Sequence, residues 1–296
     1  MNPSKIFSLA KTAVNGWLDD FAPSMGAAIS YYTVFSIAPL LLIVIVVAGL
    51  VFGQDAVRSA LQAQMAGLVG NDGASAIQGL VASAYQPGRT LLASGTSVVL
   101  LLVGATTVFA ELQSALDRIW HVPERAKPSG LWGMLRARFL SFGLILGLAF
   151  LLSTSLALSA GIAAFGQWFG GLLPGMELLM QLLNFAISLA AESILFAMIF
   201  KLMPTAKIAW RDVWVGGVVT AVLFELGKTL IGLYMGKADV GSSYAAAGSI
   251  TIVLIWVYYA AQVFLLGAEF TRAYATDRQE TASARAPRRL KTAEAG

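Results

Sequence analysis

The chain has no cysteine and one histidine, His121. Disulfides and thiolate metal sites are therefore excluded, and one imidazole is too few for a zinc cluster. Charge is also scarce: 12% of residues are Asp, Glu, Lys or Arg, against about 25% in an average soluble domain. No glycine-rich phosphate loop follows a strand, and no carboxylate cluster has two-metal spacing. Neither a metal, a cofactor nor a catalytic set is expected, so the chain does not read as an enzyme. The first 24 residues lack a hydrophobic core ahead of a small-residue cleavage site, so no cleavable signal peptide is expected.

Apolar surface is what the chain has in excess. Of 296 residues, 57% are hydrophobic, and the mean hydropathy is +0.74. A spanning helix needs about 20 mostly apolar residues. Six segments meet that need, at 25–52, 91–110, 139–165, 178–203, 213–234 and 245–268. The expected fold is all-α, a polytopic bundle of six transmembrane helices.

Lys and Arg set the orientation. With the N-terminus inside, sixteen basic residues fall on the cytoplasmic side, including Lys5, Lys11, Arg118, Arg136, Lys201, Arg211 and Arg272. The outer side holds Arg58, Arg89 and Lys237, while Lys228 lies inside a span. Both termini are therefore expected in the cytoplasm. The formal charge of +4 follows topology rather than forming one basic patch. It points to anionic lipid headgroups at the cytoplasmic face and not to nucleic acid. A homo-oligomer is compatible with the sequence.

Three regions follow. Residues 1–24 form an N-terminal segment in which Ile6, Leu9, Ala13 and Trp17 recur at helical spacing, with Lys5 and Lys11 on the polar side. This helix either lies on the membrane surface or packs on the cytoplasmic end of the bundle. Residues 25–275 form the transmembrane domain, and 276–296 read as a disordered basic tail. The long outer connection, 53–90, should hold two short helices. Val57, Leu61 and Leu68 share a face of the first, Asn71-Asp72-Gly73 marks the turn, and the second runs over 74–85.

Ionisable groups inside lipid cost about 2.5–3.5 kcal/mol each and mark candidate sites. Glu225 and Lys228 are three apart and can pair on one helix face. By helical rise Glu225 lies about 21 Å from the edge at Arg211, near the middle of a core about 30 Å thick. Glu192, about 13 Å from Lys201, has no basic neighbour in its own helix and is protonated, solvated, or paired across helices with a group such as Lys228. In the first span, Pro39 removes a helical donor from the carbonyl of Phe35. Ser30, Thr33 and Ser36 lie near one another there and can replace that bond or line a polar path. Tyr31 and Tyr32 suit an interfacial belt. Glu111 and Glu269 mark cytoplasmic ends of spans, near Arg118 and Arg272. Gly143 and Gly147 form a close-packing GxxxG motif. His121 reads as a surface residue.

Three stretches carry a resemblance: YYTVFSIAPLL at 31–41, RIWHVPE at 118–124, and GSITIVLIWVYYAAQVFLLGAEFTRAYA at 248–275. Together with Leu202-Met-Pro and the run from Trp210, they resemble the YihY/BrkB family of bacterial inner-membrane proteins. The resemblance implies a six-helix bundle in the inner membrane. That family has carried a ribonuclease BN label, but a hydrolytic nuclease needs metal-binding groups beside a phosphate-binding surface, and the sequence offers neither. The expected function is a transporter or flippase for a lipid or amphipathic solute. The rival class is a non-transporting scaffold or envelope-assembly partner, in which Glu192, Glu225 and Lys228 are sealed ion pairs.

Overall fold

The computed structural model describes residues 3–84, 91–123, 176–237 and 248–293, and every regular element among them is an α-helix. They are α1 (Pro3–Asp19), α2 (Ala22–Phe52), α3 (Gln54–Ala84), α4 (Leu91–Ile119), α5 (Met176–Leu202), α6 (Trp210–Lys237) and α7 (Gly248–Ala293). Three helices are long and apolar enough to cross a membrane, over Ala22–Leu50, Leu182–Leu202 and Ile250–Ser283. These fall on the first, fourth and sixth expected segments, while α4 and α6 cover the second and fifth. The expected third span at 139–165, with Gly143 and Gly147, lies outside the described residues, as do 245–247.

Backbone conformation explains the joints. Phe21 stands between α1 and α2 in the left-handed region (φ 59°, ψ 39°), a conformation that costs a non-glycine residue about 1–2 kcal/mol. The Arg118 guanidinium lies 5.4 Å from its ring centre. Pro23 sits in the first turn of α2, where its missing donor is not needed. Gly53 (φ 83°) closes α2 by donating its N–H to the Gly49 carbonyl at 3.0 Å. Gly70 (φ 76°, ψ 172°) breaks α3 into two helical halves. Residues 54–84 thus hold two helical stretches, and the break falls just ahead of Asn71-Asp72-Gly73, at the glycine able to adopt that φ.

At the centre of the fold lies α7. Its Ala261, Phe264, Leu265 and Ala268 pack with Met25 and Ile29 of α2, Leu116 and Ile119 of α4, and Phe196 and Phe200 of α5. A second cluster joins Val69 and Ile77 of α3 to Leu41 of α2 and to Val253 and Val257 of α7. Between α6 and α7 runs a reciprocal seam. Thr220 sits where a side chain at Gly267 would be, and Thr271 sits where one at Gly216 would be. Each threonine is fully buried and donates its hydroxyl to a glycine carbonyl four residues earlier in its own helix, at 2.7 Å. Small residues admit such close approach where water drives nothing.

The N-terminal helix α1 packs one face on α7. Leu9 and Ala13 are buried against Phe270 and Ala273 of α7, and Lys5 pairs with Asp277 at 2.6 Å. Past residue 276, where the sequence reads as a disordered basic tail, α7 runs on to Ala293. The first turns past residue 276 lack an apolar period, but Arg278, Gln279, Glu280 and Ala282 are good helix formers and extend an existing helix without a new nucleus. Arg278 anchors this extension on α6 by an ion pair to buried Asp212, with Nη2 donating to Oδ2 at 2.8 Å.

Candidate functional site

Glu192 of α5 and Glu225 and Lys228 of α6 meet in one polar triad. Lys228 Nζ donates to Glu192 Oε1 at 2.9 Å and to Glu225 Oε1 at 2.7 Å. With both carboxylates ionised, one ammonium against two leaves the triad one negative charge in excess. The three side chains are 20–25% exposed, so they are neither sealed nor in open solvent. Glu192 Oε2 is buried with no hydrogen-bond partner among the described residues.

Helical periodicity builds this arrangement. On α5, Glu192, Phe196 and Phe200 share a face, and on α6 Phe224 precedes Lys228 by one turn. Phe224 lies 5.6 Å beneath the Lys228 ammonium, adding a cation–π contact. The rings form a continuous set: Trp256 meets Phe224, Phe224 meets Phe196, and Phe264 meets Phe196 and Phe200, with centroids 5.2–6.4 Å apart. The charged centre thus stands on an aromatic floor that extends along α5 towards Lys201. Gly217 brings α5 and α6 together, because a Cβ there would lie 2.6 Å from the Ser193 carbonyl oxygen and 2.9 Å from the Ala197 nitrogen. Gly227 likewise makes room for the Tyr259 hydroxyl.

Ser36 and Pro39 stand apart from this triad on α2. The helix continues through Pro39, whose ring packs where a side chain at Gly104 of α4 would be. Ser30 donates to the Leu254 carbonyl of α7 at 2.9 Å, and Thr33 donates to the Ile29 carbonyl at 2.7 Å. Neither replaces the bond that Phe35 loses. Ser36 is 1% exposed and its hydroxyl has no partner among the described residues. Tyr31 and Tyr32 are exposed, as an interfacial pair requires.

Glu269 belongs to a second cluster that sequence reasoning saw only in part. Arg272 Nη1 donates to Asp20 Oδ2 at 3.1 Å and to Glu269 Oε2 at 3.5 Å. His121 closes the ring, with Nε2 3.2 Å from Asp20 Oδ1 and Nδ1 3.1 Å from Arg272 Nη2. Both contacts are satisfied when Nε2 carries the proton and Nδ1 accepts. His121 is exposed as expected, yet it ties the end of α4 to α7 and to the α1–α2 turn. Glu111 remains half-buried on α4, and no ion pair is described for it. Arg118, its expected neighbour, turns to Phe21 instead. Among the described residues no group of three or more His, Asp or Glu side chains is placed to hold a metal.

A cavity of about 380 Å³ lies elsewhere, between α2 and both halves of α3. Its lining includes neither a triad residue nor Ser36.

The family model for the virulence factor BrkB matches residues 13–291, nearly the whole chain. The chain belongs to this family. Within it, a UPF0761 membrane protein of Pseudomonas aeruginosa is 30% identical over 264 residues, which are 88% of this chain and 61% of that protein. A UPF0761 membrane protein of Alkalilimnicola ehrlichii is 30% identical over 255 residues, 84% of this chain and 54% of the relative. One from Ralstonia nicotianae is 26% identical over 270 residues, 90% and 58% of the two chains. This BrkB-family chain thus spans a little over half the length of the curated relatives it matches. No solved structure matches it. Family and apolar helices together make it a membrane protein.

Proposed function

We propose that this BrkB-family protein is an inner-membrane transporter or flippase for a lipid or amphipathic solute, with the triad of Glu192, Glu225 and Lys228 on its path. The observation that carries the reading is Glu192. One of its oxygens is fixed by Lys228, while the other is buried and unpartnered. Buried polar atoms normally find a partner, and a carboxylate oxygen without one is free to accept a proton or a hydrogen bond from a moving species. Two carboxylates sharing one ammonium suit either role, and the aromatic floor would confine passage. No catalysed reaction is assigned to it.

Comparative lipidomics of a deletion strain, complemented with wild type or Glu192→Gln, tests this. The glutamine is nearly isosteric and can still accept from Lys228, so membrane abundance should stay within about twofold of wild type, a difference of under 0.5 kcal/mol. The lipid profile should nevertheless remain that of the deletion. Full restoration at normal abundance would remove Glu192 from the path and favour the scaffold reading.

The full arrangement within this reading is six spans with both termini in the cytoplasm. The basic ends of the helices would face anionic headgroups, and Phe7, Val14 and Leu18, exposed on one face of α1, would lie in the interface. Single cysteines at Ser75, Gln167, Ser129 and Ala284 are expected to react with an impermeant maleimide in intact cells only at the first two. Reaction at Ser129 would overturn the topology.

A further inference from the structure

The cavity between α2 and α3 has a built polarity. Its floor is apolar and largely buried: Leu41 and Ile45 of α2 with Leu61, Met65, Ile77 and Val81 of α3. Its mouth is polar and exposed. Arg58 and Gln62 stand one turn apart on the first half of α3, and Gln78 faces them from the second. No acidic side chain lines it. Asp55, one turn before Arg58, is the other charged residue of this first half. At about 380 Å³ the space is at the low end of the range of ligand sites, about 300–1,000 Å³. That is room for one chain of an amphiphile and not for a whole two-chain lipid. Because α2 is long and apolar enough to cross a membrane, the bilayer is the natural source of an apolar occupant.

We propose that this cavity binds one acyl chain of an anionic phospholipid, with the lipid phosphate held at the mouth by Arg58, Gln62 and Gln78. A guanidinium presents five donors in a planar fork, so it can meet phosphate oxygens while keeping a contact within the protein. The two carboxamides add neutral donors beside it. An unfilled apolar space of this size forfeits the dispersion contacts of its walls, and an acyl chain restores them. The bound lipid thereby fastens the outer helices to α2. The site is separate from the triad and holds whether or not the protein transports anything.

Photo-crosslinking of the full chain in lipid nanodiscs tests it. The probe is phosphatidylglycerol with a diazirine at the end of one acyl chain. Adducts are expected on the peptides carrying Leu41–Ile45 and Ile77–Ala82. Arg58→Gln should lower their yield about tenfold, the effect of losing one charge-assisted hydrogen bond. Ala82→Trp, which fills the mouth, should abolish them. In phosphatidylcholine nanodiscs, which lack the anionic lipid, Arg58→Gln should still melt cooperatively as a folded protein, so that variant decides the matter if Ala82→Trp folds poorly. Phosphatidylcholine with the same chain should label weakly. Equal labelling by phosphatidylcholine, adducts spread evenly over lipid-facing helices, or an unchanged yield in Arg58→Gln would each overturn the proposal.

Discussion

Lys228→Met is expected to lower the membrane abundance and thermal stability of the protein more than Glu192→Gln or Glu225→Gln. Lys228 is the shared donor of both carboxylates, at 2.9 and 2.7 Å. Removing it brings two negative groups together in a poorly solvated place. Breaking a buried pair by deleting one partner costs about 3–5 kcal/mol, and the partial exposure of this site places the loss near the lower figure. The pattern across combinations is diagnostic. The double change with Glu225→Gln should recover part of the loss, and adding Glu192→Gln most of it, because each step removes a stranded charge. Melting of a fluorescent fusion followed by size-exclusion chromatography reads this series. A double variant no more stable than Lys228→Met alone would show that the charges are solvated and the pairing incidental.

Gly217→Val should be nearly as damaging, through packing alone. A single Cβ at this position already meets the backbone of α5 at Ser193 and Ala197, and backbone cannot rotate away as a side-chain tip can. Overpacking of a fitted contact costs about 1–3 kcal/mol, and valine adds two further carbons to the clash. The helices must separate, which also draws Glu192 away from Lys228. Gly217→Val should therefore lower the melting temperature, and the further loss from Lys228→Met should shrink in its background. Wild-type melting in Gly217→Val would refute the close contact. By comparison Val218, exposed one residue later, should tolerate exchange to Leu or Ala with little change in melting.

Much of this was readable in the linear sequence because it depends on short periods. The long apolar runs of α2, α5 and α7 are visible by length alone, and the Glu225–Lys228 pair follows from spacing within one helix. Glu192 was recognisable as an orphan with Lys228 as a cross-helix partner, but only the packing of α5 on α6 decides that the two, 36 residues apart, meet. Contacts of that kind leave no local trace. The cluster of Asp20, His121, Glu269 and Arg272 is the extreme case, joining positions up to 252 residues apart. Each looks like an ordinary boundary charge until α1, α4 and α7 are brought together. The stretch past residue 276 is opaque for a different reason. Apolar periodicity detects helices that bury a stripe, and the end of α7 is helical without one. The cavity under α3 was also hidden, since an empty space is a property of two facing surfaces and belongs to no residue.

The threonine–glycine seam between α6 and α7 has a mechanical consequence. Two interlocked steps, set 51 residues apart in sequence on both strands of the seam (Gly216 and Thr220, Gly267 and Thr271), forbid rotation of one helix about its axis and sliding along it. Either displacement would drive a threonine into backbone. The close contact at Gly217 fastens α5 to the same block. What remains is tilting of α5, α6 and α7 as one piece against α2 and α4, and the bond from Ser30 to the Leu254 carbonyl lies at that junction, where a hinge would have to yield first.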